Sequence, residues 1–327
     1  MNKHPVGKKL KGFSLLLLDT INDFLDDRCL KKSASLAYYT VFSIGPLILI
    51  LIWALGFFYG SQLDSPTGAR DEIMEELYQL FGRDITNMLD AAIKRISFES
   101  RTSIGVYIGV GALIFSSTTI FVDIQNSINE IWRVKPKPKK GWLKIIIDRL
   151  ISFSMVIGLG FLLMTSLILS SIISILMNYL GNYFPDLDFQ LLSLVNSGVS
   201  FLVIAALFGF IFAFLPDAKV RFHDILWGAV FTTLLFLLGK SLISYYLTNN
   251  ATASSYGAAG SVIILLAFVY YSAAILYFGA EFTKRYAIRY GKGIRPRSYA
   301  VLVKQTELEI DPDTGLREVV HKNEPIR

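Results

Sequence analysis

A polar stripe on one predicted helix carries the residue types best suited to bind a polar group. Its members recur at intervals of three and four residues, which places them on one helical face. They are Ser116, Thr119, Asp123, Asn126 and Glu130, with Asn129 and Trp132 at the end of the helix. Such groups are costly in hydrocarbon, so we expect this face to contact other helices or a water-filled cavity.

Two further ionisable residues interrupt or close apolar segments. Lys240 lies sixteen residues after Asp224, roughly 24 Å along a helix and therefore in the outer half of a hydrocarbon core about 30 Å thick. It either pairs with an anionic group there or extends to the outer head groups. Glu281 closes the last apolar segment and precedes Lys284 and Arg285. An interfacial ion pair and a proton relay are the alternatives for Glu281.

Hydroxyl groups on the first and last apolar segments complete the set of candidate binding residues. Tyr38 and Tyr39 precede Pro46, which is expected to kink the helix and to release a backbone carbonyl. Tyr271 lies within the last apolar segment. Buried hydroxyls require hydrogen-bond partners, so we expect these two segments to supply them to each other or to a polar group of a substrate.

Six long stretches of the chain contain almost no charged residues, and each predicts a helix that crosses a membrane. About 20 apolar residues suffice for such a helix. The predicted transmembrane segments are 33–62, 102–123, 150–177, 189–216, 224–247 and 256–281. The predicted fold class is therefore all-α: a polytopic membrane protein whose six transmembrane helices form one domain over residues 33–290.

Basic residues concentrate in alternate connections between these segments. Seven lie in residues 1–32, seven between the second and third segments and ten after Glu281. The loops between the third and fourth and between the fifth and sixth segments contain none. Because loops rich in Lys and Arg stay in the cytoplasm, we predict that both termini are cytoplasmic.

Three flanking segments have patterns of their own. Residues 1–32 predict a cytoplasmic amphipathic helix, which either lies on the membrane surface or packs on loops of the protein itself. Residues 64–101, between the first two spans, predict amphipathic helices over the outer mouth of the bundle. In the cytoplasmic tail, 291–327, two alternating runs flank Asp311–Gly315 and predict a β-hairpin.

Composition argues against several classes of function. Hydrophobic residues make up 53% of the chain and charged residues only 18%, whereas soluble domains carry about 25% charged residues. The net charge of +6 follows from the basic loops, so we predict no nucleic-acid partner. A metal site needs clustered ligands, and His4, His223 and His321 are widely spaced, so we predict no metal and no other cofactor.

Several separated motifs resemble one protein family. They are Ser33–Pro46, Asn126–Arg133, Tyr256–Ser261 and Tyr277–Thr283. Through these segments the chain resembles the YihY/virulence factor BrkB family. The resemblance implies a six-span protein of the bacterial inner membrane, with proposed links to export of envelope lipids and with no agreed catalytic residues. Members have also been labelled ribonuclease BN, but the lack of clustered metal ligands argues against that chemistry here.

Three functions follow from these features. The first is handling or translocation of a lipid or lipid-linked envelope molecule without an ATPase of its own, because the chain has no P-loop motif. Its partners would be membrane lipids, including anionic ones. The alternatives are a scaffold that binds envelope-assembly proteins and a membrane-embedded enzyme with Asp123 and Glu281 as acid and base, an enzyme being less favoured. The candidate substrate-binding residues are Tyr38, Tyr39, Ser116, Thr119, Asp123, Asn126, Asn129, Lys240, Tyr271 and Glu281.

Overall fold

A computed structural model describes the parts of the chain that carry most of the candidate residues. The described residues are 5–43, 74–75, 78, 86–87, 115, 119–137, 150, 154, 157–158, 189–249, 258–304, 307–310 and 317–320. Most of the first three predicted spans and of the loop 64–101 lie outside these residues, and so does Ser116.

The described part of the chain is mainly helical. Its main helices are α1 (Pro5–Asp26), α2 (29–43), α3 (119–131), α4 (Phe189–Phe214), α5 (Phe222–Asn249) and α6 (Ala258–Tyr290). The last three contain stretches long and apolar enough to cross a membrane, namely Ser197–Phe214, Phe222–Ile243 and Leu265–Tyr290. These stretches overlap the fourth, fifth and sixth predicted spans, and the count of six spans stays a prediction.

The helix ends follow from residue chemistry. Pro5 stands at the first position of α1, where its missing N–H is not needed. Arg28 has φ 51° in the turn between α1 and α2, a left-handed conformation that ends the first helix. At the end of α6 the chain turns through Gly293, with φ 70°, and its N–H donates to the carbonyl of Ala287 at 2.9 Å.

Short strands join distant loops at one end of the bundle. Strand β1 (Val134–Pro136) pairs antiparallel with β4 (Ala300–Leu302), and β2 (Ala218–Lys219) pairs with β3 (Arg295–Pro296). Both β3 and β4 belong to residues 294–304, which we call the strap. The strap therefore ties together the ends of α3, α4 and α6 and the start of α5, so all four lie at the same end of the bundle.

Further along the tail, β5 (Glu307–Ile310) pairs antiparallel with β6 (Arg317–Val320). These strands lie in the two alternating runs from which the hairpin is predicted. The short β1–β4 and β2–β3 pairs, by contrast, have no counterpart in the all-α prediction.

Helices α5 and α6 approach each other through two reciprocal glycine–threonine contacts. A Cβ added at Gly279 would lie 2.8 Å from Thr232 Cγ2, and one added at Gly228 would lie 3.0 Å from Thr283 Cβ. Each threonine hydroxyl donates to the carbonyl of the glycine four residues before it, Thr232 to Gly228 and Thr283 to Gly279, both at 2.7 Å. A glycine with a threonine four residues later thus forms the same contact on both helices, and small residues permit this close approach.

Helix α1 packs on the end of α6 through one of its faces. Leu16 and Thr20 are fully buried, and the ring of Phe24 lies 5.5 Å from that of Phe278. Leu18 and Leu25, on another face of α1, remain more than half exposed. The helix therefore packs on α6, rather than on loops, and it also presents apolar side chains outward.

The outward faces of α4 and α5 are apolar. Leu202, Leu238 and Leu242 are each more than 60% exposed. Exposed leucines on helices long enough to cross a bilayer are what a lipid environment favours, because no water is present there.

Candidate functional site

A line of polar side chains runs along α3 and stays accessible from the surface. It consists of Thr119 and Asp123, which are partly exposed, and Asn126 and Glu130, which are exposed. We call these four residues the polar track. Their spacing is the one from which the stripe is predicted, and they are the described part of it.

Helix α2 forms one wall of the polar track. The Ser35 hydroxyl donates to Asp123 Oδ1 at 3.5 Å, and Lys32 Nζ lies 3.1 Å from Glu130 Oε1. The other carboxylate oxygen of Asp123 is buried and has no hydrogen-bond partner within the described part of the chain. An acceptor left in this way is free to receive a donor from a ligand.

The polar track ends in a small cavity beneath the strap. The cavity has a volume of about 260 Å³. Its lining residues, which define what we call the α3 cavity, are Asn126, Asn129, Glu130, Arg133, Val134, Lys135, Pro136 and Val303. Two amides, one acid and two bases line it, so it offers donors and acceptors for a polar group that carries either sign of charge.

A neighbouring face of α3 is also polar, and it is buried against the chain between α4 and α5. Asn129 and Asp217 bond reciprocally: the amide donates to the carboxylate at 2.8 Å and accepts from the Asp217 N–H at 2.8 Å. Gln125 and Tyr299 also donate to Asp217 Oδ1, at 3.3 Å and 3.0 Å. Asn129, grouped with the stripe from the sequence, therefore links the α3 cavity to a fixed network. The sequence analysis did not include Gln125, although Gln125 lies four residues before Asn129 and therefore on the same face of the helix.

Glu281 lies in a buried ion cluster between α1, α2, α3 and α6. Lys284 Nζ is 2.6 Å from Glu281 Oε2, 3.0 Å from Asp23 Oδ2 and 3.6 Å from Asp27 Oδ2. Arg285 forms a two-armed contact with Asp23, and Arg133 lies 2.5 Å from Asp27. These three acids and three bases, Asp23, Asp27, Glu281, Lys284, Arg285 and Arg133, are what we call the ion cluster.

The charges of the ion cluster set the ionisation of groups on α1 and at the start of α2. Burial opposes ionisation of Asp23, but its hydrogen bond with Arg285 and the nearby charge of Lys284 outweigh that effect and hold its pKa below the ordinary value. Cys29, whose thiol lies 3.9 Å from Glu281 Oε1, is fully buried. Burial and the charge of Glu281 raise the pKa of its thiol, which makes it a poor nucleophile.

The remaining candidate residues lie on other helices than α3. Tyr38 and Tyr39 are 60% and 39% exposed on α2. The Tyr271 hydroxyl donates to the carbonyl of Leu235 on α5 at 3.3 Å, so its described partner is α5 and not the first span. Its ring packs against Gly239, next to the partly exposed Lys240. The structure thus brings Thr119, Asp123, Asn126 and Asn129 together on α3, whereas Glu281 lies in the ion cluster and Tyr271 packs on α5.

Metal ligation has no basis in the described residues. No group of three or more His, Cys, Asp and Glu side chains within them could hold a metal ion. The side chains of the polar track offer hydrogen bonding and ion pairing.

Comparison with known proteins identifies the family. Residues 20–300 match the family described as Virulence factor BrkB. The chain belongs to the virulence factor BrkB family. It is 29% identical over 261 residues to a UPF0761 membrane protein of Alteromonas mediterranea, covering 79% of this chain and 83% of the relative. A UPF0761 membrane protein of Pseudoalteromonas translucida is 27% identical over 288 residues, covering 86% of this chain and 89% of the relative.

Some members of the BrkB family are longer than this chain. A UPF0761 membrane protein of Alcanivorax borkumensis is 25% identical over 278 residues, which cover 84% of this chain but 60% of the relative. No solved structure matches the chain. The chain is thus a bacterial membrane protein of the BrkB family.

Proposed function

We propose that this BrkB-family protein translocates or handles a lipid or lipid-linked envelope molecule in the bacterial inner membrane. One observation carries the proposal: the polar track lies on the surface of α3 and ends in the α3 cavity. A polar path along a helix lets a head group move through the membrane while its acyl chains stay in lipid. That arrangement avoids the cost of placing the polar group directly in hydrocarbon.

The side chains along the track suit a head group with both donors and negative charge. Asp123 Oδ2, which has no hydrogen-bond partner among the described residues, accepts a hydrogen bond from a hydroxyl or an amine of the head group. At the end of the track, Arg133 and Lys135 line the cavity and pair with a phosphate. The opposite ends of the track would therefore bind different parts of one amphiphile.

The charge of the strap end supports a cytoplasmic orientation of that end. Within residues 26–32, 130–137, 214–224 and 285–304, ten basic side chains are exposed but only two acidic ones, Asp26 and Glu130. The other acids of these ranges, including Asp27, Asp217 and Asp224, are buried. An excess of exposed Lys and Arg is typical of the cytoplasmic side, so the α3 cavity would open to the inner leaflet and to the cytoplasm.

A flux assay tests the proposal. Purified protein is reconstituted into liposomes that contain a fluorescent head-group-labelled phospholipid, and external reductant bleaches the label that reaches the outer leaflet. We expect protein-dependent bleaching of the inner-leaflet pool, slowed at least about tenfold by Asp123→Ala because the head group loses a charge-assisted hydrogen bond. Lys240→Ala is expected to slow it as well.

The matched control is Asp26→Asn, which removes an exposed carboxylate on α1 away from the track. It is expected to leave the rate unchanged. Bleaching that does not depend on the protein, or equal rates for wild type, Asp123→Ala and Lys240→Ala, would overturn the proposal.

A further inference from the structure

A second cavity, separate from the polar track, lies between the end of α4 and the strap. It has a volume of about 400 Å³. Its lining residues, which define what we call the strap cavity, are Ala213, Ala218, Lys219, Val220, Arg297, Ser298 and Tyr299. The cavity is thus built from the loop between α4 and α5 and from a segment eighty residues later in the chain.

The polar groups that line the strap cavity are mainly donors. Lys219 and Arg297 are cations, Ser298 and Tyr299 carry hydroxyls, and no acidic side chain is found among the described residues that line the cavity. An anion therefore meets two positive charges and no negative one among the residues of the wall.

Arg297 supplies the observation that points to a ligand. Its Nε is buried and has no acceptor within the described part of the chain. Its Nη2 reaches the carbonyls of Ala213 and Phe214 at the end of α4, each at 3.4 Å. A buried donor without an acceptor is costly, more so on a charged group, and an anion in the cavity would remove that cost.

The carboxylate of Asp217 contacts Tyr299 but is not among the residues that line the strap cavity. The carboxylate of Asp217 is 2% exposed and accepts from Asn129, Gln125 and Tyr299. Burial and the charge of Asp217 raise the pKa of Tyr299, so its hydroxyl stays protonated and remains the donor to that carboxylate. Lys219, Arg297 and Ser298 are then the groups left to bind an anion.

We propose that the strap cavity binds a phosphate group through Lys219, Arg297 and Ser298. The planar guanidinium and the point charge of the lysine both suit phosphate oxygens. The phosphate is either a free phosphate from solution or the head group of an anionic lipid. Exposed Phe214 and Phe222 beside the α4–α5 connection would lie along the acyl chains in the second case.

This site does not depend on the proposed translocation. Asp217 separates the two cavities, since it bonds Asn129 of the α3 cavity and Tyr299 of the strap cavity. A protein that moves no lipid can still bind phosphate here, and the binding assay below contains no transport step.

Thermal unfolding of the full chain measures the binding. In the first arm, the protein in a neutral detergent is titrated with inorganic phosphate at constant ionic strength, because screening alone changes surface electrostatics. In the second arm, the protein in nanodiscs of phosphatidylcholine is compared with nanodiscs that also contain phosphatidylglycerol. A ligand that binds only the folded protein raises its melting temperature.

The variant is Lys219→Gln, at an exposed position where loss of the charge should leave folding intact. Its matched control is Lys304→Gln, at an exposed position of the strap. We expect stabilisation of wild type in at least one arm, with an apparent Kd about tenfold weaker in Lys219→Gln and unchanged in Lys304→Gln. Arg297→Lys, which keeps the charge but not the planar fork, is expected to weaken binding as well.

Stabilisation by phosphate alone identifies free phosphate as the ligand, and stabilisation by phosphatidylglycerol alone identifies a lipid head group. Either result supports the site. The proposal is overturned if neither arm stabilises wild type, or if Lys304→Gln weakens binding as much as Lys219→Gln, since the attraction would then be diffuse.

Discussion

Replacing Gly279 by alanine tests the closest contact between α5 and α6. The new Cβ would lie 2.8 Å from Thr232 Cγ2, 2.9 Å from Thr232 Cβ and closer still to its hydroxyl oxygen. Ordinary van der Waals contact begins at 3.4 Å. Thr232 is fully buried and donates to the carbonyl of Gly228, so it cannot turn away without losing that hydrogen bond.

The size of the effect follows from two opposing terms. Extra atoms in a well-packed site destabilise by about 1–3 kcal/mol, and three atoms within 3.0 Å place Gly279→Ala near the upper limit. Replacing glycine by alanine within a helix stabilises that helix by about 1 kcal/mol. The net loss is about 2 kcal/mol, equivalent to about 4–8 °C in Tm on the scale of domains of 150–250 residues.

The assay is thermal unfolding of the purified protein in a mild detergent. The double variant Gly279→Ala with Thr232→Gly moves the small residue to the other helix, so it should recover most of the lost Tm. Gly209→Ala is the matched control, since a Cβ there meets its nearest atom, Ala229 Cβ, at 3.7 Å. It should leave Tm unchanged or raise it. A wild-type Tm for Gly279→Ala, or no recovery in the double variant, would refute the close packing of α5 and α6.

Three further predictions concern the ion cluster and Cys29 beside it. Lys284→Met should lower stability by about 3–5 kcal/mol because it removes the cation paired with the buried Glu281 carboxylate, whereas Lys292→Met, at an exposed position, should not; unfolding in detergent measures both. The pKa of Asp23 is lowered in the folded protein, so its stabilising effect is complete above its ordinary value of 3.8 and lost as the pH falls through the lowered one. The Tm gap between wild type and Asp23→Asn should therefore shrink below pH 3.8, and a constant gap would contradict this. Cys29, fully buried, should react with maleimide only after unfolding, and rapid labelling of the folded protein would contradict its position.

The helices near the C terminus could be predicted from the sequence because their signal is local. Apolar segments at 189–216, 224–247 and 256–281 overlap α4, α5 and α6. Their ends were less well predicted: α6 continues to Tyr290, since its last turns contain charged residues that pair with α1. Hydropathy does not report such pairing.

The contacts at the strap end could not be predicted, because they join residues far apart in the sequence. Asp23 and Lys284 form an ion pair although most of the chain separates them in sequence. No local pattern around either residue indicates the other. The β1–β4 and β2–β3 pairs contain two or three residues per strand, too few for an alternating pattern to be recognised.

Part of the candidate site could be predicted, since helical spacing alone brings Thr119, Asp123 and Asn126 to one face. What the spacing could not supply was the partner of each residue. Asn129 bonds Asp217 and Tyr271 bonds the carbonyl of Leu235, and both contacts depend on the packing of other helices. The strap cavity had no sequence signal, because Lys219 and Arg297 come together only through the β2–β3 pair.

Blocking the α3 cavity is the most direct test of lipid handling along the polar track. Asn126→Trp places a bulky ring where the track enters the cavity of about 260 Å³, and Asn22→Trp makes the same change at an exposed position on α1. The measurement is the initial rate of head-group-labelled lipid translocation in proteoliposomes. We predict that Asn126→Trp abolishes the protein-dependent rate while Asn22→Trp retains it. Equal rates for both variants and wild type would contradict passage of the head group along α3.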